Sequence, residues 1–417
     1  MKKKSIKKSL TASTENRLLN AGREEFALKG YYASNVDSIT QRASVSHGTF
    51  YLYFKSKNEL LITIIKELLD GIPMIAGEAE RREQWLAFSR LKDFEKPVVD
   101  AIDAIADSSG LLRAFVQGML QSKEVFDLFT QTAQQIAETF AARLMSLQDD
   151  GRYQDCDVRV VSQIMSVSLI MSIFVWSMGV ISCSPRLLAK NIAHIFFYVL
   201  NFDEERQGVA CKEKPGKSSG TGIFNKTRKN IIEAARQEFS LHGYFDTQIG
   251  NIAKKAGCSR GTFYQCFKGK DDLIQSVYEH TFDPLGGWGH RPENFIEHLH
   301  IAHTGSLAKF ILVVIDIFES SGPLNVAFLQ GSFFSDTLRQ NYSSIFQRFS
   351  ESIAKKIDMQ KAKGMCQGVD SLITAQILST TVSYATFFRA YDRRILRCSR
   401  NKFAINMGSF LHRFINF

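Results

Sequence analysis

Apolar residues recur every three or four positions along most of the chain, which is the spacing of an amphipathic helix. Segments 18–26 and 231–239 each place three apolar or small residues at i, i+4 and i+8, so each predicts one face of a helix. The alternation that predicts strands does not appear, and the expected fold class is all-α. The longer periodic stretches predict helices over 57–70, 95–107, 111–118, 123–148, 157–179, 186–201, 270–282, 306–320, 323–331, 335–357, 369–392 and 398–415.

The chain contains an internal repeat with an offset of about 213 residues. Residues 14–61 and 227–274 align without a gap, and about 19 of their 48 positions are identical. A weaker echo pairs DSSGLLRAF, from Asp107, with ESSGPLNVAF, from Glu319. We infer one unit of about 200 residues written twice. The segment 204–224, rich in glycine, serine and lysine, is the expected linker between the two copies.

Each copy opens with a helix that should end at a glycine, Gly30 or Gly243, in a left-handed conformation. A second short helix should follow. Asn35 is a good N-cap for it in the first copy. Gln248 is a poorer cap in the second copy, where Thr247 is expected to help.

A tight turn and a third helix complete the pattern in each copy. The turn covers 44–46 in the first copy and 257–259 in the second. Ser46 and Ser259 should cap the third helices, HGTFYLYF and RGTFYQCF. Two short helices joined by a three-residue turn predict a helix-turn-helix, whose second helix enters the major groove of DNA.

The pattern G-Y-x7-IxxxA-x2-S-x-GTFY-x2-F-K-x-K, present in both copies, resembles the tetracycline-repressor (TetR) family of bacterial transcription regulators. The resemblance implies a helix-turn-helix domain followed by a helical body with an effector pocket. It also implies that the last two helices of each body form half of a four-helix dimer interface. Since both partners would lie on one chain, we expect an intramolecular pseudodimer.

Three positions depart from the family pattern. Ser44 stands where the family usually has glycine, so the first turn is expected to be slightly strained. Tyr53 and Cys266 stand where the family usually has histidine on the side that faces DNA. Tyrosine can donate a hydrogen bond to a phosphate, whereas cysteine is a poor donor. The second helix-turn-helix is therefore expected to bind DNA more weakly than the first.

The apolar run from Val160 is the clearest candidate for an interface helix. Its length would also suit a membrane span. Serines interrupt it, however, and small residues favour close helix packing, so a buried helix is the preferred interpretation.

These observations predict six segments, which combine two DNA-binding domains with two bodies. They are a basic N-terminal arm (1–12), a first DNA-binding domain (13–70, motif about 35–54), a first effector and dimerisation body (71–203), the linker (204–224), a second DNA-binding domain (225–283, motif about 248–267) and a second body (284–417).

Charge is concentrated in the two predicted reading heads. The chain of 417 residues carries a net charge of +10. Residues 1–57 contribute about +7 and residues 212–270 about +8, so the rest sums to about −5. This distribution is typical of phosphate binding. The lysines of the N-terminal arm should follow phosphates or enter a minor groove, unless the arm is only a disordered, solubilising tail; they are Lys2, Lys3, Lys4, Lys7 and Lys8.

His47 and Arg260, early in the third helices, are the best candidates for reading bases. Arg260 could bind the O6 and N7 edge of a guanine, and Gln265 could read adenine where Leu52 offers only apolar contact. By resemblance, Lys57 and Lys270 correspond to a phosphate-binding lysine of the family. The predicted DNA-binding residues are Ser34, Asn35, Ser46, His47, Thr49, Tyr51, Tyr53, Lys55, Lys57, Thr247, Gln248, Ser259, Arg260, Thr262, Tyr264, Gln265, Lys268 and Lys270.

Three clusters in the bodies admit more than one interpretation. Acidic and histidine side chains could hold a metal, although solvated surface is preferred. Arginines could bind an anionic effector, although surface or DNA-proximal charge is preferred. Aromatic residues could line effector cavities, although most are expected in the core. The clusters are Glu293, Glu297, His298, His300 and His303; Arg389, Arg393, Arg394, Arg397 and Arg400; and Trp85, Phe88, Phe115, Phe126, Phe129, Phe310, Phe318, Phe328 and Phe334.

The remaining composition narrows the functional classes. Seven scattered cysteines without a CxxC argue against a disulfide framework or a zinc site, and indicate a reduced, cytoplasmic protein. The basic N-terminus lacks a following apolar stretch, so secretion is not expected. No nucleotide loop, zinc motif or nucleophile elbow points to an enzyme, and no cofactor is predicted.

The expected function is therefore a sequence-specific transcription regulator, most simply a repressor that responds to a small molecule. Its partners would be a double-stranded, asymmetric DNA operator and an effector of unknown identity. The alternative is a helical interaction protein in which only the first helix-turn-helix still binds DNA.

Overall fold

The computed structural model describes residues 2–72, 90–201, 226–282 and 296–416, apart from 297, 298, 302, 392 and 393. Within those ranges every regular element is a helix and no strand occurs, which confirms the all-α class. The side chains of the N-terminal arm, the linker 204–224, and the candidates Trp85, Phe88, Glu293, Glu297, His298 and Arg393 lie outside the described residues.

The helices of the first repeat form a reading head followed by a body. The head consists of α1 (Lys2–Ala33), α2 (Val36–Ala43), α3 (His47–Phe50) and α4 (Lys57–Asp70). The described body helices are α5 (Leu91–Ala106), α6 (Ser109–Met119), α7 (Lys123–Asp149), α8 (Val158–Ser177) and α9 (Pro185–Leu200).

The second repeat runs through the same series. Its head consists of α10 (Lys226–Asp246), α11 (Ile249–Lys255), α12 (Arg260–Cys266) and α13 (Lys270–Phe282). Its described body helices are α14 (Thr304–Ser321), α15 (Leu324–Phe334), α16 (Asp336–Lys361), α17 (Ser371–Tyr391) and α18 (Arg400–Ile415).

All twelve helices predicted from the longer periodic stretches are present, with ends that differ from the prediction by at most four residues. The third helix of the first head is much shorter than predicted. After Phe50, the amides of Leu52 and Tyr53 bond to carbonyls three residues back, at 3.2 and 3.0 Å, so the third helix of the first head tightens into turns.

The helices fall into two compact units. One comprises residues 1–152 and 165–193, and the other comprises 153–164 and 194–417. The second unit therefore contains the second repeat together with two short segments of the first.

Within the second unit, the segment before α8 packs against α18. Asp155 Oδ1 lies 2.5 Å from Arg413 Nη2, and Asp155 Oδ2 lies 2.9 Å from Ser409 Oγ. The Arg413 guanidinium also lies 4.4 Å from the centre of the Tyr153 ring. The Asp157 amide donates to Asn406 Oδ1 at 2.6 Å. Two segments from different repeats are thus held together by charge and hydrogen bonds.

A second contact in this unit places the corresponding loop of the second repeat against α9, the last described helix of the first repeat. Gly368 stands 213 positions after Asp155, and a side chain placed there would reach 2.9 Å from the ring of His194, on α9. Asp157 and Asp370 share the same offset, and each carboxylate accepts an amide at the start of α8 or α17. The two loops therefore take equivalent positions.

Helix α8 is long and apolar enough to cross a membrane by length and composition, and 72% of its most apolar window is buried inside the protein. Its serines are accommodated locally. Ser162 Oγ donates to Arg159 O at 2.8 Å, and Ser166 Oγ donates to Ala133 O on α7 at 2.6 Å. These contacts are those of a packed core helix.

Part of the arginine cluster is consumed in internal ion pairs. Arg389 is buried, and its guanidinium lies 2.8 Å from Glu319 Oε1 on α14. Arg400 pairs with Glu319 Oε2 at 3.3 Å and with Asp316. These two arginines therefore fasten α17 and α18 to α14.

Among the aromatic candidates of the first body, Phe115, Phe126 and Phe129 are buried in the core. In the second body, Phe310 is buried, whereas Phe334 is 63% exposed and packs edge-on against Phe245. Core packing therefore accounts for most of them, as the sequence predicted.

Candidate nucleic-acid interface

The start of the second helix is capped differently in the two heads. Asn35 Oδ1 accepts from the Ser38 amide at 2.8 Å, as its residue type predicts. Gln248 makes no side-chain cap. The prediction that Thr247 helps to cap α11 is wrong, because its hydroxyl donates to Gly243 O at 2.6 Å and so closes the preceding helix.

Ser34 takes the same position in the first head as Thr247 in the second. Its hydroxyl donates to Gly30 O at 2.5 Å, and both side chains are buried. Their hydroxyls are therefore not accessible to DNA, and we remove these two residues from the predicted contact set. They hold the chain as it leaves the first helix.

The turn of the first helix-turn-helix is strained, as its serine predicts. Ser44 has φ 51° and ψ 48°, a left-handed conformation that Gly257 adopts without cost in the second head. Arg17 compensates. Its guanidinium donates to Ala43 O at 2.5 Å and to Ser44 O at 2.7 Å, which holds the turn in place.

A buried carboxylate anchors the second helix to the first in each head. Glu25 Oε2 lies 3.3 Å from Arg42 Nη2, and Glu238 Oε1 lies 3.1 Å from Lys255 Nζ. Burial alone would raise the pKa of Glu25, but hydrogen bonds and charge from Lys29 and Arg42 leave that pKa below its usual value. Glu25 therefore stays ionised at neutral pH.

The third helices begin as predicted. Ser46 Oγ accepts from the Thr49 amide at 3.1 Å, and Ser259 Oγ accepts from the Thr262 amide at 3.0 Å. Phe50 is buried beneath the first of these helices and Phe263 beneath the second. The predicted contact residues that each third helix and its flanks leave exposed are Ser46, His47, Tyr51 and Lys55, and Ser259, Arg260, Tyr264, Gln265 and Lys268, whereas Thr49, Tyr53 and Thr262 are half-buried.

The two base-reading candidates are held by different neighbours. His47 Nδ1 lies 2.6 Å from Asp37 Oδ1 on α2. Gly250 stands at the position equivalent to Asp37, and a Cβ there would lie 2.6 Å from Arg260 Nη2. The aspartate therefore orients the histidine in one head, while the missing side chain makes room for the arginine in the other.

The difference between Asp37 and Gly250 changes which base edges each head can contact. Because Nδ1 of His47 is engaged with Asp37, Nε2 is the ring nitrogen left to face a base. Arg260 carries only donors and suits the acceptors of a guanine edge. The two heads therefore present different side-chain chemistry at the first position of their third helices.

Lys57 and Lys270 point inward. Lys57 Nζ donates to Tyr31 O at 2.8 Å and to Ser34 O at 3.0 Å, and Lys270 Nζ donates to Tyr244 O at 2.9 Å. Burial lowers the pKa of both ammonium groups. Each bridges the fourth helix of its head to the end of the first, so these donors are already engaged within the head.

Each first helix is interrupted at a glycine that a glutamine of the body holds. Gly30 (φ 71°, ψ −178°) and Gly243 (φ 66°, ψ −170°) have positive φ but extended ψ, which differs from the left-handed cap predicted. The Tyr244 amide donates to Gln330 Oε1 at 2.9 Å. Gln117 accepts from the Tyr31 amide at 2.6 Å in the same way.

These glutamines were not predicted, although the sequence carries a signal for them. Gln117 and Gln330 stand 213 residues apart, each within the pattern F-x-Q-G. Gly118 and Gly331 follow them, and a Cβ at Gly331 would meet the Tyr244 ring at 2.9 Å. The glutamine and glycine of this pattern thus allow each body to pack closely against its head.

Gln330→Leu should loosen this junction in the second head. The Tyr244 amide would lose its acceptor in a partly buried site, at a cost of about 1–2 kcal/mol. Native-state hydrogen exchange at that amide measures the change directly. Gln265→Leu is the matched control, because Gln265 is exposed and leucine stands at the equivalent position 52 of the first head. Equal protection of Tyr244 in both variants would contradict the assigned contact.

The described residues include only part of the predicted cluster of acidic and histidine side chains. Within the described residues, no group of three or more His, Cys, Asp or Glu side chains could hold a metal ion. His300 and His303 are described, whereas the other members of their cluster are not. The described cysteines are free thiols.

Comparison with known proteins matches the two reading heads. The family described as bacterial regulatory proteins, tetR family, matches residues 18–64 and 231–277. The HTH-type transcriptional regulator AcrR of Shigella flexneri is 39% identical over 61 residues, 15% of this chain and 28% of AcrR. The fatty acid metabolism regulator protein of Bacillus subtilis is 43% identical over 51 residues, 12% of this chain and 26% of that protein. The chain thus spans about a quarter of the length of these relatives.

Solved structures align with a little under half of the chain. A TetR-family regulator from Mesorhizobium loti is 22% identical, with a TM-score of 0.37 over 45% of this chain and 95% of its own. FadR of Bacillus subtilis, solved with stearoyl-CoA, is 24% identical, with a TM-score of 0.36 over 44% and 96% of the two chains.

Proposed function

Because the chain belongs to the TetR family through two copies of its DNA-binding unit, we propose that it is a transcription regulator that reads an asymmetric operator as a single-chain pseudodimer. The observation that carries this proposal is the pair of unlike third helices, His47 beside Asp37 and Arg260 beside Gly250. Two intact but different heads on one chain suit two different half-sites.

The packing of the second unit supports pairing of the two repeats. Asp155 and Arg413 come from different repeats, and so do His194 and Gly368. In each contact, a loop of one repeat lies against the last described helix of the other repeat. Such reciprocity is the property of a two-fold interface. Half-sites about one helical turn apart, 10–10.5 bp or a multiple, would match it.

Regulation would follow from the junction between each head and its body. Gln117 and Gln330 join body helices to the ends of α1 and α10, so a body that changes shape on binding a small molecule would move its head. A repressor released by an effector is the simplest form of this regulator.

A second candidate is a protein in which only the first head binds DNA. Two features of the second head favour it. Gln248 leaves α11 without a side-chain cap, and Cys266 is a poor hydrogen-bond donor where the first head has Tyr53. A footprint confined to one half-site would favour this candidate, and a footprint over two half-sites would exclude it.

Binding selection from random DNA tests the proposal. The wild type should select two different half-sites. Arg260→Ala should cost about 1–3 kcal/mol and relax preference in one half-site only, whereas His47→Ala should act on the other. A palindromic preferred site, or an Arg260→Ala effect spread over both half-sites, would overturn the asymmetric operator.

Exchanging Asp37 and Gly250, the neighbours of the two base-reading candidates, provides a matched pair of controls. Gly250→Asp should hold Arg260 in an ion pair and weaken its half-site, while leaving the helix itself in place. Asp37→Gly should release His47 without removing it. Each exchange should alter selection only in the half-site of its own head, because the change lies outside the other head.

A further inference from the structure

In the second repeat, helix α13 of the head and body helices α14 to α17 line a cavity that is partly open to solvent. Its empty space is about 800 Å³, part of it open to solvent. Of the twelve described residues that line it, eight are aromatic and none carries a formal charge. Phe318 and Phe328, two of the candidates found in the sequence, are among them.

The polar atoms of the wall are few and neutral. Tyr342 Oη and Tyr384 Oη lie 3.3 Å apart, one on α16 and the other on α17. Burial raises the pKa of Tyr384 to about 12 and raises the pKa of Tyr342 as well, so both hydroxyls stay protonated. This pair can donate and accept hydrogen bonds, but it cannot neutralise a charge.

We propose that this cavity binds a neutral, largely aromatic small molecule whose hydroxyl or carbonyl group bonds to the Tyr342–Tyr384 pair. The aromatic walls favour flat rings, through stacked or edge-on contacts. An anion would lose its hydration without gaining a countercharge from the described lining. The role of this ligand as an effector rests on the proposed regulatory function, whereas its binding does not.

Helix α15 connects the cavity to the second head. Phe328 and Leu329 line the cavity, and the next residue, Gln330, accepts from the Tyr244 amide at 2.9 Å. Phe328 also belongs to the hydrophobic core that the head shares with the body. A ligand that moves α15 would therefore act on Tyr244, which directly follows the interruption of α10 at Gly243.

Helix α13 provides a second connection to the same residue. Tyr278 lines the cavity and stacks on Phe328, with ring centres 4.2 Å apart. At the start of α13, Lys270 Nζ donates to Tyr244 O at 2.9 Å. Both backbone polar groups of Tyr244 are thus held by helices that form the cavity wall.

Calorimetric titration of the full chain with three probes tests the ligand class. The probes are 2-naphthol, naphthalene and naphthalene-2-sulfonate, which share a ring system and differ in the polar group. 2-Naphthol should bind at least tenfold more tightly than the sulfonate. Tyr384→Phe and Tyr342→Phe should each weaken 2-naphthol by about fivefold and leave naphthalene unchanged, since only the hydroxyl contact is lost. Tyr198→Phe, outside the cavity, is the matched control.

The outcomes distinguish a failure of the proposed ligand class from a failure of the proposed effector role. Tighter binding of the sulfonate, or no binding of 2-naphthol, would overturn the proposed ligand class even if the protein binds its operator. Binding of 2-naphthol as expected, with operator affinity unchanged at saturation, would overturn the effector role. Loss of the ligand's effect on DNA in Gln330→Leu, with 2-naphthol binding retained, would support the connection through α15.

Discussion

Raising the salt concentration from about 50 to about 200 mM should weaken operator binding by about a thousandfold or more. Residues 1–57 and 212–270, which contain the third helices of both heads, together carry about +15, whereas the rest of the chain sums to about −5. About six to ten lysine or arginine contacts with phosphate would release a corresponding number of counterions, and the logarithm of affinity then falls linearly with the logarithm of salt. Fluorescence anisotropy with a labelled operator measures the slope.

The structure separates lysines that can contribute to this slope from lysines that cannot. Lys55 and Lys268 are exposed, whereas Lys57 Nζ donates to two backbone carbonyls of its own head. Lys55→Gln and Lys268→Gln should each reduce the slope by about one. Lys57→Gln should lower the melting temperature and leave the slope unchanged. A slope that is flat in the wild type, or that falls as much in Lys57→Gln, would contradict this assignment.

Local chemistry explains why so much of each head could be predicted. Caps depend on residues three positions apart, so Asn35, Ser46 and Ser259 reveal helix starts directly. Strain at Ser44 was expected because it stands where the resemblance places a glycine. The helices of the bodies follow from the period of their apolar residues, and their ends deviate by no more than one turn.

What the sequence could not predict depends on distant partners. The direction of Lys57 is set by carbonyls that become accessible only when α1 is interrupted at Gly30. Thr247 was misassigned because its hydroxyl can bond either forward as a cap or backward to the preceding helix. The Asp155–Arg413 pair joins residues 258 positions apart, and periodicity carries no information about such contacts.

Reversing either charge of the Asp155–Arg413 pair should destabilise the second unit by about 3 kcal/mol, at the low end of the range for a broken buried ion pair. Arg413 is 4% exposed and would be left without a carboxylate, whereas Asp155 is 44% exposed and screened by solvent. The double reversal, Asp155→Arg with Arg413→Asp, should recover most of that loss. Thermal unfolding of the four proteins forms the cycle.

The pair also favours one partner over another. Gly368 stands where the second repeat would need an aspartate, so two second repeats facing each other would bury Arg413 without a carboxylate. Two first repeats would place Asp155 opposite the region of His194, where no arginine stands at the equivalent of Arg413. Pairing of unlike repeats is therefore the arrangement that satisfies this charge.

Acid should weaken the pairing through the same carboxylate. Burial alone would raise the pKa of Asp155, but hydrogen bonding and charge from Arg413 bring it below its usual value. A carboxylate with a lowered folded-state pKa contributes stability that is present above its unfolded pKa and is lost as the pH falls through the folded one. Asp155→Asn should therefore show a shallower loss of stability in acid than the wild type.

Sedimentation equilibrium decides whether the unlike repeats pair within one chain. A chain of 47.1 kDa that pairs internally should sediment as a monomer with two heads, although monomers could still associate on DNA. Asp155→Arg should expose the pairing surface and produce larger species, and the double reversal should return the monomer. Two outcomes would contradict the single-chain pseudodimer. An obligate dimer that dissociates only into unfolded chains would mean that the ion pair joins two molecules. A double reversal as destabilised as the single reversals would mean that the ion pair does not stabilise the pairing.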